Sequence, residues 1–332
     1  MKKIRWFLQY LVLLIPYGLI RILPYGGIRV LADMAGFVLF HIPSCRKLIL
    51  ANIRCAMPEL PESEVRRIAR ASTGHLCRNM AEFIWVHGEP ERIERCYTMD
   101  ADTDAVLQNH LAAGERILFV NPHLGSWEAS GVMAPYFSNV DLVAVAKPVR
   151  NPYLNRLLNE SGRQKCKGLR IIFSKGAIRA AIQALREGSG IGLLVDQNTR
   201  VRDGGCFVNF FGVPVTSSKS PAMLKRFCDS NDIPAVILYG HSVREADGKV
   251  HARVRCLPRP FAEYEDDAAV LQALMDLSEE NIRRYPEQYL WLYHRFQNIP
   301  PEAPEELRRR YPYYAAVPSP SFFDIRARHK KS

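Results

Sequence analysis

Residues 116–128 read RILFVNPHLGSWE. In the first five, Arg116-Ile-Leu-Phe-Val120, four consecutive apolar side chains leave no polar face, the pattern of a strand buried on both sides. Asn121-Pro122 interrupts the run, and Trp127 to Phe137 then reads as a helix. His123 and Glu128 sit at the junction. An open α/β sheet places reactive groups there, outside the carboxyl ends of its strands. A histidine beside a carboxylate is the minimum needed to strip a proton from an alcohol.

The pattern recurs. Apolar runs fall at 116–120, 141–146, 169–173, 190–195 and 233–240, and residues 250–256 alternate. Helical stretches at 127–137, 152–166 and 177–187 separate several of them, and 59–96 reads as helix with acidic residues in its first turn. This alternation predicts an α/β fold with a mostly parallel central sheet flanked by helices. Lys147 and Arg150 follow the second run, and Asp196-Gln197-Asn198 follow Ile191 to Val195. In a parallel sheet these ends share one edge, so a base, carboxylates and cations would line a single crevice.

Composition limits the partners. The chain has 332 residues, 45 Lys and Arg against 34 Asp and Glu, and a formal charge of +11. Such a surplus suits an anionic membrane, nucleic acid or an acidic partner. With no zinc-finger spacing, RNA-binding aromatic signature or helix-turn-helix, nucleic acid is set aside. The eight cysteines form no C-x-x-C pair and read as core thiols of a reducing compartment. No metal cluster or phosphate loop is evident, so no cofactor is expected.

Trp6 to Ile20 is free of charge, with Lys2, Lys3 and Arg5 before it and Arg21 after. It is shorter than the roughly 20 residues of a spanning helix, and Trp6, Tyr10 and Tyr17 suit the bilayer boundary. No small-residue cleavage site follows, which argues against a removed signal peptide. The expectation is a membrane anchor over 1–45, in-plane or re-entrant, against the alternatives of a spanning helix and a buried helix of the core.

The ordered motifs resemble a known family. His123-Leu-Gly-Ser-Trp-Glu128 looks like the H-x4-D/E motif of the lysophospholipid acyltransferase superfamily, in its lipid A biosynthesis (lauroyl/myristoyl) branch. Lys147-Pro-Val-Arg-Asn-Pro-Tyr-Leu154 is similar to that branch's R-P-x-x-N-P-x-L, and Gly162-Arg163 stands where its arginine is expected. Val195-Asp-Gln197, Phe210-Phe-Gly-Val-Pro214 and Tyr285-Pro-Glu-Gln-Tyr-Leu-Trp291 match its D-Q, F-F-G-x-P and Y-P-E-Q-Y-x-W elements. Each motif is weak alone; six in order over residues 1–300 are specific. Three departures bear on the acceptor: Lys147 replaces an arginine, Ser220 a glycine, and Tyr293-His294-Arg295 the commoner H-R-R.

The resemblance implies an acyltransferase domain over 46–300, with a peripheral tail over 301–332. It implies transfer of a fatty acyl chain from acyl carrier protein, or CoA, to a hydroxyl of an anionic lipid A precursor. The catalytic domain would face the cytoplasm at the inner membrane. His123 would be the general base and Glu128 the residue that orients its ring. Arg163 would hold a phosphate or the oxyanion, against its alternative as a solvated helix cation, and Asp196 would position Arg163 or a substrate hydroxyl. Lys147 and Arg150 complete the substrate-binding set. Phe210, Phe211 and Trp127 are either acyl-channel lining or plain core. Other lipid acceptors (a lysophospholipid, an ornithine lipid or a glycolipid) use the same chemistry. A thioester hydrolase would use His123 on water, and a non-catalytic membrane-binding protein would not need the pair.

Overall fold

The computed structural model describes residues 2–146, 148–160, 166–173 and 176–324. Four helices come first: α1 (Lys2–Ile22), α2 (Tyr25–His41), α3 (Pro43–Ala56) and α4 (Glu62–Val86). The helix expected over 59–96 is thus broken at His87 to Glu89, after which α5 (Pro90–Cys96) leads into β1 (Tyr97–Met99) and α6 (Ala101–Ala112). Arg21 stabilises the break, because its guanidinium donates to the carbonyls of Ile84, Trp85 and His87 at the electronegative end of α4.

The sheet unit follows. β2 (Arg116–Asn121), α7 (Trp127–Ser138) and β3 (Leu142–Ala146) lead to α8 (Pro152–Asn155) and β4 (Leu169–Phe173). α9 (Ala177–Arg186) and β5 (Gly190–Leu194) complete it. The expected helix over 152–166 opens with Asn151 accepting from the Tyr153 and Leu154 amides, then widens to a π-turn at Arg156–Glu160; residues 161–165 lie outside the described residues. β6 (Gly205–Phe210) and β7 (Val213–Ser218) form a separate hairpin. α10 (Ser220–Asp229), β8 (Ala235–Arg244), β9 (Val250–Cys256), α11 (Asp267–Arg284) and a short α12 (Glu305–Arg308) finish the chain.

The seven-stranded sheet has the order β1-β9-β8-β2-β5-β3-β4, and every pair is parallel except β8 with β9. The expected α/β fold is therefore observed. β2 shows why both faces must be covered. Ile117 and Phe119 enter a core with α6 and α7, whereas Leu118 and Val120 enter the opposite core with α9 to α11. Period-two alternation divides one apolar run between two cores.

The F-F-G element is the hairpin's two-residue turn. Phe211 and Gly212 have φ of 55° and 66°, the left-handed pair that a tight hairpin of native twist uses. Phe210 and Phe211 pack on Trp291, Tyr289 and Phe296, so both are core. The segment after Pro300 is pinned to the hairpin. Arg310 donates to the Phe211 and Gly212 carbonyls, and the Tyr311 hydroxyl to Pro214.

α1 is longer than its charge-free run, and Lys3–Ile22 is long and apolar enough to cross a membrane. Its exposed Ile4, Leu8, Leu11, Val12, Ile15 and Leu19 recur at helical spacing along one stripe. α2 carries a matching exposed set, Val30, Met34, Phe37 and Val38. α1 also docks laterally: its Trp6 carbonyl accepts from Asn151, and Phe7 and Tyr10 pack on Tyr153.

Candidate active site

β2 and β5 are sheet neighbours, so the residues just past their carboxyl ends meet. His123 follows β2 and Asp196 follows β5. The His123 ring donates from Nδ1 to Asp196 Oδ1 at 2.6 Å, and its backbone N–H donates to Oδ2 at 2.8 Å. One carboxylate thereby fixes both ring and backbone of one histidine. With Asp196 accepting at Nδ1, the lone pair of the neutral ring sits on Nε2, the nitrogen able to take a proton. Gln197 Nε2 lies 3.0 Å from that atom.

The sequence reading gave the orienting role to Glu128; the carboxylate hydrogen-bonded to the ring is that of Asp196. Asp196, read as a partner of Arg163 or of a substrate hydroxyl, is 1% exposed and bound to His123. Burial is the strongest influence on its carboxyl and pushes its pKa up. The His123 charge and two hydrogen bonds, with Arg295 beyond, outweigh burial and hold it below the usual carboxylate range. Arg295, buried itself, donates to the Thr216 carbonyl and to Asn198 Oδ1, which ties the Y-H-R segment to the loop after β5.

The loop bearing His123 is held on three sides. Gly125 N–H donates to the Gln288 carbonyl at 2.9 Å, its own carbonyl accepts from Asn79 at 2.8 Å, and Ser126 N–H donates to Ser242 at 2.6 Å. Gly125 has φ +61°, and a Cβ there would sit 1.9 Å from the Ser242 carbonyl oxygen, so only glycine fits. Behind the loop, Gln288 exchanges side-chain hydrogen bonds with the Arg244 backbone, and the Arg244 guanidinium pairs with Glu82 in full burial. Tyr25 adds a hydrogen bond to Glu82 at 2.9 Å. The Y-P-E-Q element therefore acts as a clamp, with Gln288 its working residue.

A cavity of about 1180 Å³ opens at His123 and runs between the sheet and α7. Its walls include Trp127, Glu128, Met133, Ala134, Ala144 and Gly192. Small residues at 131, 134, 144 and 192 leave the space. The Trp127 ring lies 5.2 Å from that of His123, so this aromatic does line the cavity, unlike Phe210 and Phe211. Glu128, in the first turn of α7, keeps a second carboxylate on the same cavity. Arg150 is exposed on the loop after β3, next to the cavity-lining Val149. Lys147 and Arg163 lie outside the described residues. Among the described residues no group of His, Cys, Asp and Glu is arranged to hold a metal, and no cysteine pair forms a disulfide.

A histidine held by a buried carboxylate, facing a large cavity with many apolar walls, can deprotonate a hydroxyl at the head of a bound hydrocarbon chain. Comparison with known proteins points the same way. Residues 1–298 match the family model described as bacterial lipid A biosynthesis acyltransferase. A lipid A biosynthesis acyltransferase of Haemophilus influenzae is 28% identical over 48% of this chain and 49% of its own length. The lipid A biosynthesis palmitoleoyltransferase of Escherichia coli is 29% identical over 45% and 47%, and the lauroyltransferase of the same organism 25% identical over 78% and 81%. The match thus spans about half the length of the first two relatives.

Proposed function

Since the chain belongs to the bacterial lipid A biosynthesis acyltransferase family, we propose that it moves a fatty acyl chain from a thioester of acyl carrier protein to a hydroxyl of a lipid A precursor. The observation that carries the reading is the His123–Asp196 pair at the mouth of an apolar cavity.

His123 Nε2 takes the hydroxyl proton as the oxygen attacks the thioester carbonyl, and Asp196 steadies the imidazolium that forms. The C–O bond forms, the C–S bond breaks, and the proton passes from His123 to the departing thiolate. The apolar cavity takes the acyl chain. Glu128 supports the site, Arg163 holds a phosphate of the acceptor or the oxyanion, and Lys147 and Arg150 complete the substrate-binding set. The surplus of 11 positive charges favours both an acidic donor protein and an anionic lipid, so turnover is salt-sensitive.

The exposed apolar stripes of α1 and α2 support attachment to the inner membrane, with the catalytic domain on the cytoplasmic side. Lateral docking of α1 on Asn151 and Tyr153 favours a helix lying in the bilayer plane. Protease treatment of sealed inverted vesicles tests this: a protected N-terminus defeats the in-plane arrangement. Mass spectrometry of membrane lipids with and without the protein tests the activity. Added mass names the acyl chain and the shifted species names the acceptor. An unchanged lipid profile, or full activity in a folded His123→Ala variant, refutes the reading.

A further inference from the structure

Two consecutive residues, Asp196 and Gln197, meet opposite ends of one imidazole. Asp196 accepts the Nδ1 proton at 2.6 Å, so Nε2 presents a lone pair and the group facing it must donate. The Gln197 amide nitrogen faces it at 3.0 Å. An amide cannot be the nucleophile and has no proton that the ring can remove. At rest, therefore, the catalytic lone pair is occupied by a group that must leave before the base can work.

We infer that Gln197 guards His123 against water, so that the loaded thioester is spent on the lipid rather than hydrolysed. This rests on the reading of His123 as general base. The discrimination follows from what each competitor brings. Water offers His123 one hydrogen bond, no better than the amide it must displace, and the amide is tethered next to the ring. A lipid hydroxyl arrives with binding energy from its chains and phosphates, which is available to move the amide aside. In the reaction being suppressed, His123 takes a proton from water, the C–O bond to the acyl carbon forms and the C–S bond breaks. The proton then passes to the leaving thiolate, giving free fatty acid and free thiol. Asp196, one residue earlier, keeps the ring in place while the amide swings, so the guard opens without disturbing the base.

The test compares folded wild type, Gln197→Met, Gln197→Glu and His123→Ala. Thiol release from lauroyl–acyl carrier protein is measured without acceptor, and acyl transfer with a purified lipid A precursor. Methionine keeps the length of glutamine and removes the donor. The ratio of hydrolysis to transfer should rise about 3- to 10-fold, the range set by the loss of one ordinary hydrogen bond. Glutamate accepts from the imidazolium, so the acidic limb of the pH–rate profile should move to higher pH. An unchanged ratio in Gln197→Met, or an unmoved limb in Gln197→Glu, overturns the guard while an inactive His123→Ala leaves the general base standing. Wild-type transfer by His123→Ala overturns both.

Discussion

Replacing Asp196 with asparagine separates two candidate partners of the base by a change of one heavy atom. The carboxylate now accepts from the His123 backbone N–H and from ring Nδ1 at once. Asparagine has one acceptor and one donor. The backbone N–H can only donate, so it claims the amide oxygen and turns the NH2 group toward Nδ1. The ring must then accept at Nδ1 and carry its proton on Nε2, the wrong tautomer for a base. In serine hydrolases the same substitution costs about 10⁴-fold in kcat. Asp196 is equally buried and binds its histidine by the same atom, so a loss of about 10³- to 10⁴-fold is expected, about 4–5.5 kcal/mol in activation free energy. Acyl transfer to a lipid A precursor measures it, with circular dichroism confirming the fold. Glu128→Gln is the comparison. It keeps the His123–Asp196 geometry and should lose less than Asp196→Asn. Activity above one tenth of wild type in a folded Asp196→Asn protein, or a Glu128→Gln loss that exceeds it, refutes the assignment.

Other outcomes follow from the same geometry. Gly125→Ala puts a Cβ 1.9 Å from the Ser242 carbonyl at a positive φ, so activity should fall to background and the melting temperature should drop. Ala144→Leu fills the cavity between β3 and α7 and should shift the transferred chain toward shorter species by mass spectrometry. Removing the guanidinium in Arg244→Met strands a buried Glu82, and denaturant unfolding should show a loss of about 3–5 kcal/mol. His241 is pushed down to about 4, first by burial and then by Arg253, Arg255 and Arg284. Its unfolded form binds a proton below about 6.5 that the folded form refuses until about 4. Stability is therefore intact above that window and falls through it by about 3 kcal/mol; His241→Asn should flatten the fall in melts across pH.

β1, β6 and β7 escaped the sequence reading, whereas the other six strands among the described residues were legible as short apolar or alternating runs, within a residue or two at most ends. Their lateral order was not. β5 comes after β3 and β4 in the chain yet inserts between β2 and β3, and nothing in local sequence encodes that. Asp196 was placed on the same sheet edge as His123 but not against it, while Glu128, five residues away, looked like the partner. Gln197 was visible in the D-Q motif but had no chemistry until the ring's second nitrogen was seen to face it. Gln288 was visible only as part of the Tyr285–Trp291 motif, whereas its backbone carbonyl holds the His123 loop and its side-chain amide holds the Arg244 backbone. The break at His87 to Glu89 was signalled by Gly88 and Pro90, which the reading of one continuous helix passed over.

The first 45 residues read as a detachable anchor, and the packing of α2 gives them a different standing for anyone seeking a soluble form. Gly36 lies so close to Gly74 that a Cβ would meet the α4 backbone at 2.6 Å, so the two helices interlock rather than touch. Arg21 caps α4, the Trp85 indole donates to the Leu23 carbonyl, and Tyr25 completes the shell around Glu82. A chain begun at residue 46 would lose all three, and would uncover Phe83 and Trp85 in place of the exposed apolar stripe it was meant to remove. Solubility is better sought by recolouring the outer face of α1 and α2, at Leu8, Val12, Met34 and Val38 for example, while leaving the inner face untouched.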